Sequence, residues 1–154
     1  MGIKKRLQQA GPSTRSHAMQ RKYLDYLNTP KTVDCDFCAV LITEPTSIVE
    51  DNEYTLVINN RFGYTVWDGC EVLEHLMVIP KAHRDALDGF TKKELNEWAE
   101  VCTKYEKKGY SLYSRSPDNI TRSILHHHTH FIRLGKRRKK YIIYLRKPHI
   151  LVTR

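Results

Sequence analysis

Residues 126–130 read His-His-His-Thr-His. Within that run His126, His128 and His130 are spaced by two, and side chains two apart on an extended strand share one face at steps of roughly 6.5–7 Å. Three imidazoles on one rigid ridge can serve near neutral pH as nucleophiles, bases or metal ligands. Each has to be solvated or paired, so apolar residues would pack there more favourably, and the ridge reads as a site rather than as core. A polar, solvated strand edge is the plainer alternative. An expression tag does not fit, because the run is internal, broken by Thr129 and flanked by Ile124, Leu125, Phe131 and Ile132. Far upstream, Cys35-Asp36-Phe37-Cys38 brings two thiols close together; a Cys-x-x-Cys fits a metal knuckle, a redox pair or neither.

The elements that must hold these groups follow from periodicity. His17 to Leu27 predicts a short helix with Tyr23, Tyr26 and Leu27 on one side, ended before Pro30. Cys35–Cys38 reads as a tight knuckle, and Ser47 to Glu50 with Tyr54 to Asn60 as a hairpin turned around Asp51-Asn52. Gly63 to Gly69 reads as a loop, Val72 to Ile79 as an apolar strand stopped by Pro80. Thr91 and Glu94 make a capping box opening the main helix, whose stripe of Leu95, Trp98, Cys102 and Tyr105 is core. Tyr110 to Ser114 predicts a strand, residues 116–119 a turn, Ser123 to Leu134 the histidine strand, and Tyr141 to Leu145 with His149 to Val152 a final pair. The sum is an α+β fold: an antiparallel sheet, one main helix, and extra basic strands at the C-terminus.

The 154 residues suit one domain. Residues 1–30 read as a flexible basic tail with the possible short helix, and 31–154 as the folded domain. No apolar run approaches the length of a membrane span. No apolar stretch follows Lys4-Lys5-Arg6, and Arg6 stands where a myristoylation signal wants Ser or Thr, so the expected location is cytoplasmic. In that reducing compartment the four cysteines are thiols or metal ligands rather than disulfides, with Cys70 and Cys102 ordinary residues. The formal net charge of +9, concentrated in Lys4 to Lys22 and Arg133 to Arg146, indicates an anionic partner. Phosphate leads, with nucleic acid bound through the basic segments as a second reading.

The order of these features is specific: Cys-x-x-Cys, a hairpin ending in Asn60-Arg61, the stretch His75-Leu-Met-Val-Ile-Pro-Lys-Ala-His83, a Thr-x-x-Glu-Leu helix, and His-x-His-x-His. Over residues 35–133 the chain resembles the histidine-triad (HIT) superfamily of nucleotidyl hydrolases and transferases, in its zinc-binding Cys-x-x-Cys subtype. The resemblance implies a HIT-like fold, commonly assembled as a homodimer, acting on the α-phosphate of a nucleoside phosphoramidate or dinucleoside polyphosphate. It makes His128 the nucleophile of a nucleotidyl-histidine intermediate, and His130 and Ser123 its catalytic phosphate or leaving-group contacts. Asn60 corresponds to a ribose ligand, and Val33, Phe37, Ile48 and Ile58 are candidates for the base pocket. Arg122, where many members carry Gln, either clamps a phosphate bidentately or points to solvent. A structural zinc is implied at Cys35, Cys38, His75 and His126, with His83 the substitute if His75 faces away. The alternative function is a zinc-stabilised module that binds nucleotides or nucleic-acid ends with little catalysis. Two departures stand out: residues 116–122 lack the glycines that usually precede the triad strand, and His127 and Thr129 replace two apolar residues.

Overall fold

The computed structural model describes residues 14–31 and 33–137, together with the backbone of 138, 142–146 and 149–153. Of the tail expected at residues 1–30, residues 1–13 lie outside the described residues. Helix α1 (His17–Asn28) begins on Ser16, whose hydroxyl accepts from the Met19 N–H. It packs Tyr23 and Tyr26 around Phe62, with ring centroids 5.3 and 4.9 Å apart. Residues 36–43, read from sequence only as the end of a knuckle, form a two-turn helix α2 (Asp36–Thr43) with Cys35 at its N-cap. Its run of Phe, Cys, Ala, Val, Leu and Ile has no polar face to reveal a helical period, because the helix is too short to show one.

The strands are β1 (Ile48–Asp51), β2 (Thr55–Asn59), β3 (Val66–Trp67), β4 (Cys70–Pro80), β5 (Ser111–Ser114) and β6 (Thr129–Arg138), joined in one antiparallel sheet of order β1-β2-β4-β6-β5. β3 pairs with β4, so the region read as a loop from Gly63 to Gly69 contains half of a hairpin. Its turn is Asp68-Gly69, both with positive φ (50° and 72°). That pair is the combination a two-residue hairpin of matching twist requires. β7 (Ile142–Arg146) and β8 (His149–Thr153) form a separate two-stranded sheet.

Strand parity sorts the two faces. Val57, Leu76, Val78 and Phe131 pack against helix α3 (Lys92–Lys107) through Val101, Cys102 and Tyr105. On the other face Leu56, Ile58, Met77 and Ile79 pack against Val40 and Phe37 of α2. Leu95 belongs to neither cluster: it is 40% exposed, so the predicted stripe runs through Trp98, Val101, Cys102 and Tyr105 instead. Register pairs Met77 with His130 and Leu76 with Phe131. The α2 face therefore carries His130, and by the same parity His75.

The capping box of α3 is complete: the Thr91 hydroxyl accepts from the Glu94 N–H at 3.3 Å, and the Glu94 carboxylate accepts from the Thr91 N–H at 2.7 Å. Arg84 also donates to Glu94 at 3.2–3.3 Å. Burial alone would raise the Glu94 pKa, but the Thr91 N–H and the Arg84 guanidinium outweigh it and hold it below 4.5. A depressed carboxylate contributes stability above its unfolded pKa and loses it as pH falls through the folded one. Glu94→Gln is expected to cost about 1–3 kcal/mol in urea denaturation at pH 7. The gap between the two proteins should close as pH falls below about 4.

Candidate active site and metal-binding group

The histidine ridge is not wholly strand. β6 begins at Thr129, and residues 122–128 run as irregular chain. The cause is Arg122. Its guanidinium is buried and donates to the carbonyls of Asp85 (2.6 Å), Ile124 (3.0 Å), Arg115 (3.5 Å) and Leu125. Those carbonyls are satisfied by a side chain, so no ladder is needed to keep them paired. The expected phosphate clamp at Arg122 is thereby replaced by an internal tether. Farther along, the His127 N–H donates to the Arg84 carbonyl at 2.5 Å, and the Ser114 hydroxyl to the His128 carbonyl at 3.1 Å.

His126, His128 and His130 nonetheless converge on one side. Each of these three side chains lines a cavity of about 1180 Å³, together with Asn60, Ser123 and Phe37. His127 faces the other way, edge-on to Phe90 at 5.3 Å, with its Nε2 3.4 Å from the Thr129 hydroxyl. The Nδ1 of His128 lies 2.9 Å from the His126 carbonyl. A carbonyl only accepts, so Nδ1 carries the proton and Nε2 keeps its lone pair. Burial pulls the pKa of His128 down to about 4, against a smaller opposing effect of that carbonyl. The ring is neutral at pH 7. Among the described residues Nε2 has no hydrogen-bond partner, and Phe37 packs edge-on to the ring at 5.3 Å. The chemical outcome is a neutral, tautomer-fixed imidazole with a free nitrogen at a cavity wall.

Four residues gather at the other end of the ridge: Cys35, Cys38, His83 and His126, with one ligand atom from each within 4.8 Å of the others. Sequence reasoning placed His75 in this set, and strand geometry excludes it. The site lies at the exit of β4, where His126 Nε2 bonds the Pro80 carbonyl at 2.8 Å. His75 lies five residues back along that strand, roughly 16 Å away. Its ring turns instead to His130, with Nε2 2.9 Å from His130 Nδ1. His83, three residues past the strand end, takes the place, as the substitute assignment anticipated.

The four donors suit a tetrahedral ion. With metal–sulfur and metal–nitrogen bonds of about 2.3 and 2.05 Å, the S···N edge of a tetrahedron is about 3.6 Å. The observed edges are 3.5 Å for Cys35 Sγ to His126 Nδ1, 3.4 Å for Cys38 Sγ to the same atom, and 3.3 Å for Cys38 Sγ to His83 Nδ1. Both imidazoles present Nδ1 to the site, with Nε2 occupied elsewhere: His126 by Pro80, His83 by the Asp85 carboxylate at 3.1 Å. Such outer partners fix the tautomer of a ligating histidine. Asp85→Asn is expected to weaken metal affinity about 10–100-fold, read by competition with a chromophoric chelator.

Ser123 lines the cavity, and Asn60 stands at its wall with Oδ1 accepting from the Phe62 N–H at 2.9 Å and Nδ2 3.2 Å from His75. Val33, Phe37 and Ile58 also line it, whereas Ile48 packs into the core. Sequence reasoning overlooked Tyr113, Arg115 and Arg15, which share the cavity wall with Trp67. Tyr113 pairs with His130 in register, and Arg115 follows it by two, so strand parity was the signal for both.

No family model matches the sequence, and no curated protein matches it. Solved structures do. The chain is similar to a histidine triad protein from Clostridium difficile, at 22% identity over 73% of this chain and 100% of that one, TM-score 0.50. It is similar to a HIT family hydrolase from Clostridium thermocellum, at 19% identity over 68% and 93%, TM-score 0.51. A member of the HIT family from Bacillus subtilis matches at 23% identity over 68% and 76%, TM-score 0.51. The fold is that of the histidine-triad proteins. Among the described residues no helix is long and apolar enough to cross a membrane.

Proposed function

We propose that this chain is a nucleotidyl hydrolase or transferase of the histidine-triad kind, with His128 as its nucleophile. The observation that carries the reading is the His128 imidazole, protonated at Nδ1 against the His126 carbonyl and open at Nε2 on the cavity. Imidazole in that state attacks phosphorus without first losing a proton. The Nε2 lone pair forms a P–N bond to the α-phosphorus as the bond to the leaving group breaks, its electron pair departing with that group. Water then attacks the phosphorus and releases a proton to solvent, the P–N bond breaks, its electrons return to Nε2, and a nucleoside monophosphate leaves. Splitting the displacement leaves the protein mainly to position phosphate and stabilise its charge. Ser123 supplies a hydroxyl to the phosphate, and Val33, Phe37 and Ile58 an apolar wall for the base.

The ion assigned to Cys35, Cys38, His83 and His126 is zinc, which two thiolates and two imidazoles hold in closed tetrahedral sites. Bound there, it would supply folding stability, since four protein donors leave no open position for substrate. The test is a base quench of the full-length protein during turnover of an adenosine 5′-phosphoramidate or a diadenosine polyphosphate, followed by mass spectrometry and metal analysis. A nucleotidyl group on His128 and one equivalent of zinc are expected. Turnover without any covalent adduct would reject the nucleophile.

A further inference from the structure

Beside the nucleophile lies a recess in which hydrogen-bond donors meet with no acceptor. The Tyr64 backbone N–H donates to His75 Nδ1 at 2.9 Å. A backbone N–H can only donate, so a neutral His75 carries its proton on Nε2. That nitrogen is 2.9 Å from His130 Nδ1, which must therefore accept. Asn60 Nδ2, 3.2 Å from the same His75 nitrogen, is a further donor, held in that orientation by its Oδ1 bond to Phe62, and does not reverse the direction. His130, neutral as well, is left with its proton on Nε2.

Neutrality follows from burial and from the two guanidinium groups nearby. The pKa of His75 is pushed down to about 3, by burial first and then by Arg15 and Arg115. That of His130 is driven well below 6.5 by burial, His128, His75 and the same two arginines.

The His130 Nε2–H faces Arg115 Nη1 at 3.3 Å, two donors turned toward one another. Arg115 Nε is buried and has no hydrogen-bond partner among the described residues. The rest of Arg115 is fixed by Nη2 donating to the Tyr64 hydroxyl at 2.8 Å. From α1's approach comes Arg15, anchored by Nε to the Phe62 carbonyl at 2.7 Å and lying over the rings of Tyr23 and Tyr64 at 4.3 and 5.0 Å. Both arginines line the cavity, and among the described residues neither has a carboxylate partner. Converging N–H groups with uncompensated positive charge make an oxyanion site.

We infer that Arg115, Arg15 and His130 Nε2 form a subsite for a second phosphate, on the departing side of the bond that His128 attacks, so that the preferred substrates are phosphoanhydrides rather than phosphoramidates. The inference rests on the nucleotidyl-transfer reading above. The His130 ring centroid is 5.0 Å from that of His128, within reach of a phosphate adjacent to the one attacked. Leaving-group chemistry selects the anhydride. A departing amine needs a proton, which guanidinium does not give up, whereas a departing phosphate oxygen needs only stabilisation of its charge in place. In the displacement the bridging P–O bond breaks and its electron pair remains on the outgoing phosphate, held by the two arginines.

The test uses the full-length protein in two measurements. Inorganic pyrophosphate is titrated calorimetrically into wild type, Arg115→Gln and Arg15→Gln, and kcat/KM is compared for a diadenosine polyphosphate and an adenosine 5′-phosphoramidate. Wild type is expected to bind pyrophosphate, with affinity falling about tenfold or more in Arg115→Gln and severalfold in Arg15→Gln. The anhydride-to-phosphoramidate ratio should fall about tenfold in Arg115→Gln. Should Arg115→Gln lose its native circular dichroism, Arg15→Gln carries the comparison. Pyrophosphate affinity and substrate ratio both unchanged in a folded variant would overturn the subsite. Absence of turnover and adduct with either substrate would instead remove the nucleotidyl-transfer reading, while the pyrophosphate titration still decides whether the recess holds an oxyanion.

Discussion

His128→Ala is expected to lower turnover about a thousandfold or more while leaving nucleotide binding and metal content as in wild type. The geometry dictates this separation of effects. His128 contributes a lone pair at Nε2 and no ligand to the metal group, so its loss removes the covalent route without touching Cys35, Cys38, His83 or His126. Ser123, Phe37 and Ile58, proposed to contact the nucleotide, stay on the cavity wall. The decisive comparison is single-turnover kinetics beside equilibrium binding of a nucleoside monophosphate. An alanine variant that retains full turnover would eliminate His128 as nucleophile, whatever its affinity for nucleotide.

Metal removal is expected to have the second large effect. A ligand that binds only the folded state stabilises it by about 3–4 kcal/mol when present at several hundred times its Kd. For a domain of this size that is about 10 °C in melting temperature. The site joins the N-terminus of α2 to the exit of β4 and the chain before β6, parts distant in sequence. Dialysis against a strong chelator should lower the melting temperature by that amount, and added zinc should restore it. Cys38→Ser should melt near the chelated wild type and no longer respond to zinc. An unchanged melting temperature after verified metal removal would show that packing of α2 alone holds the segment.

Strand parity explains most of what could be read before the fold was known. The apolar, β-branched run from Val72 to Ile79 stopped by Pro80 identified β4, the strand read from Ser123 to Leu134 contained the start of β6, and the Thr91–Glu94 box placed α3 to within a residue. Three features of the site were not readable. The start of β6 moved from Ser123 to Thr129 where a side chain, Arg122, satisfies the Ile124 and Leu125 carbonyls that a ladder would have used. Nothing in local sequence distinguishes an arginine that turns inward from one that meets solvent. The metal set exchanged His75 for His83 because their difference is distance along an extended strand, which composition does not carry. The Arg15 and Arg115 recess depends on a tautomer chain passing through Tyr64, His75 and His130, in which the register of β4 and β6 brings His75 to His130 and the segment before β3 adds the Tyr64 N–H.

One residue serves both halves of the site. The ring of His126 belongs to the metal group, while its carbonyl orients the His128 imidazole. Position 126 is thus a shared bearing: whatever shifts the ring in its socket also turns the main chain that aims the neighbouring nitrogen. The two halves are coupled through one residue. Substitutions at 126 will therefore read as doubly harmful, and their cost cannot be apportioned between holding the fold and aiming the attack.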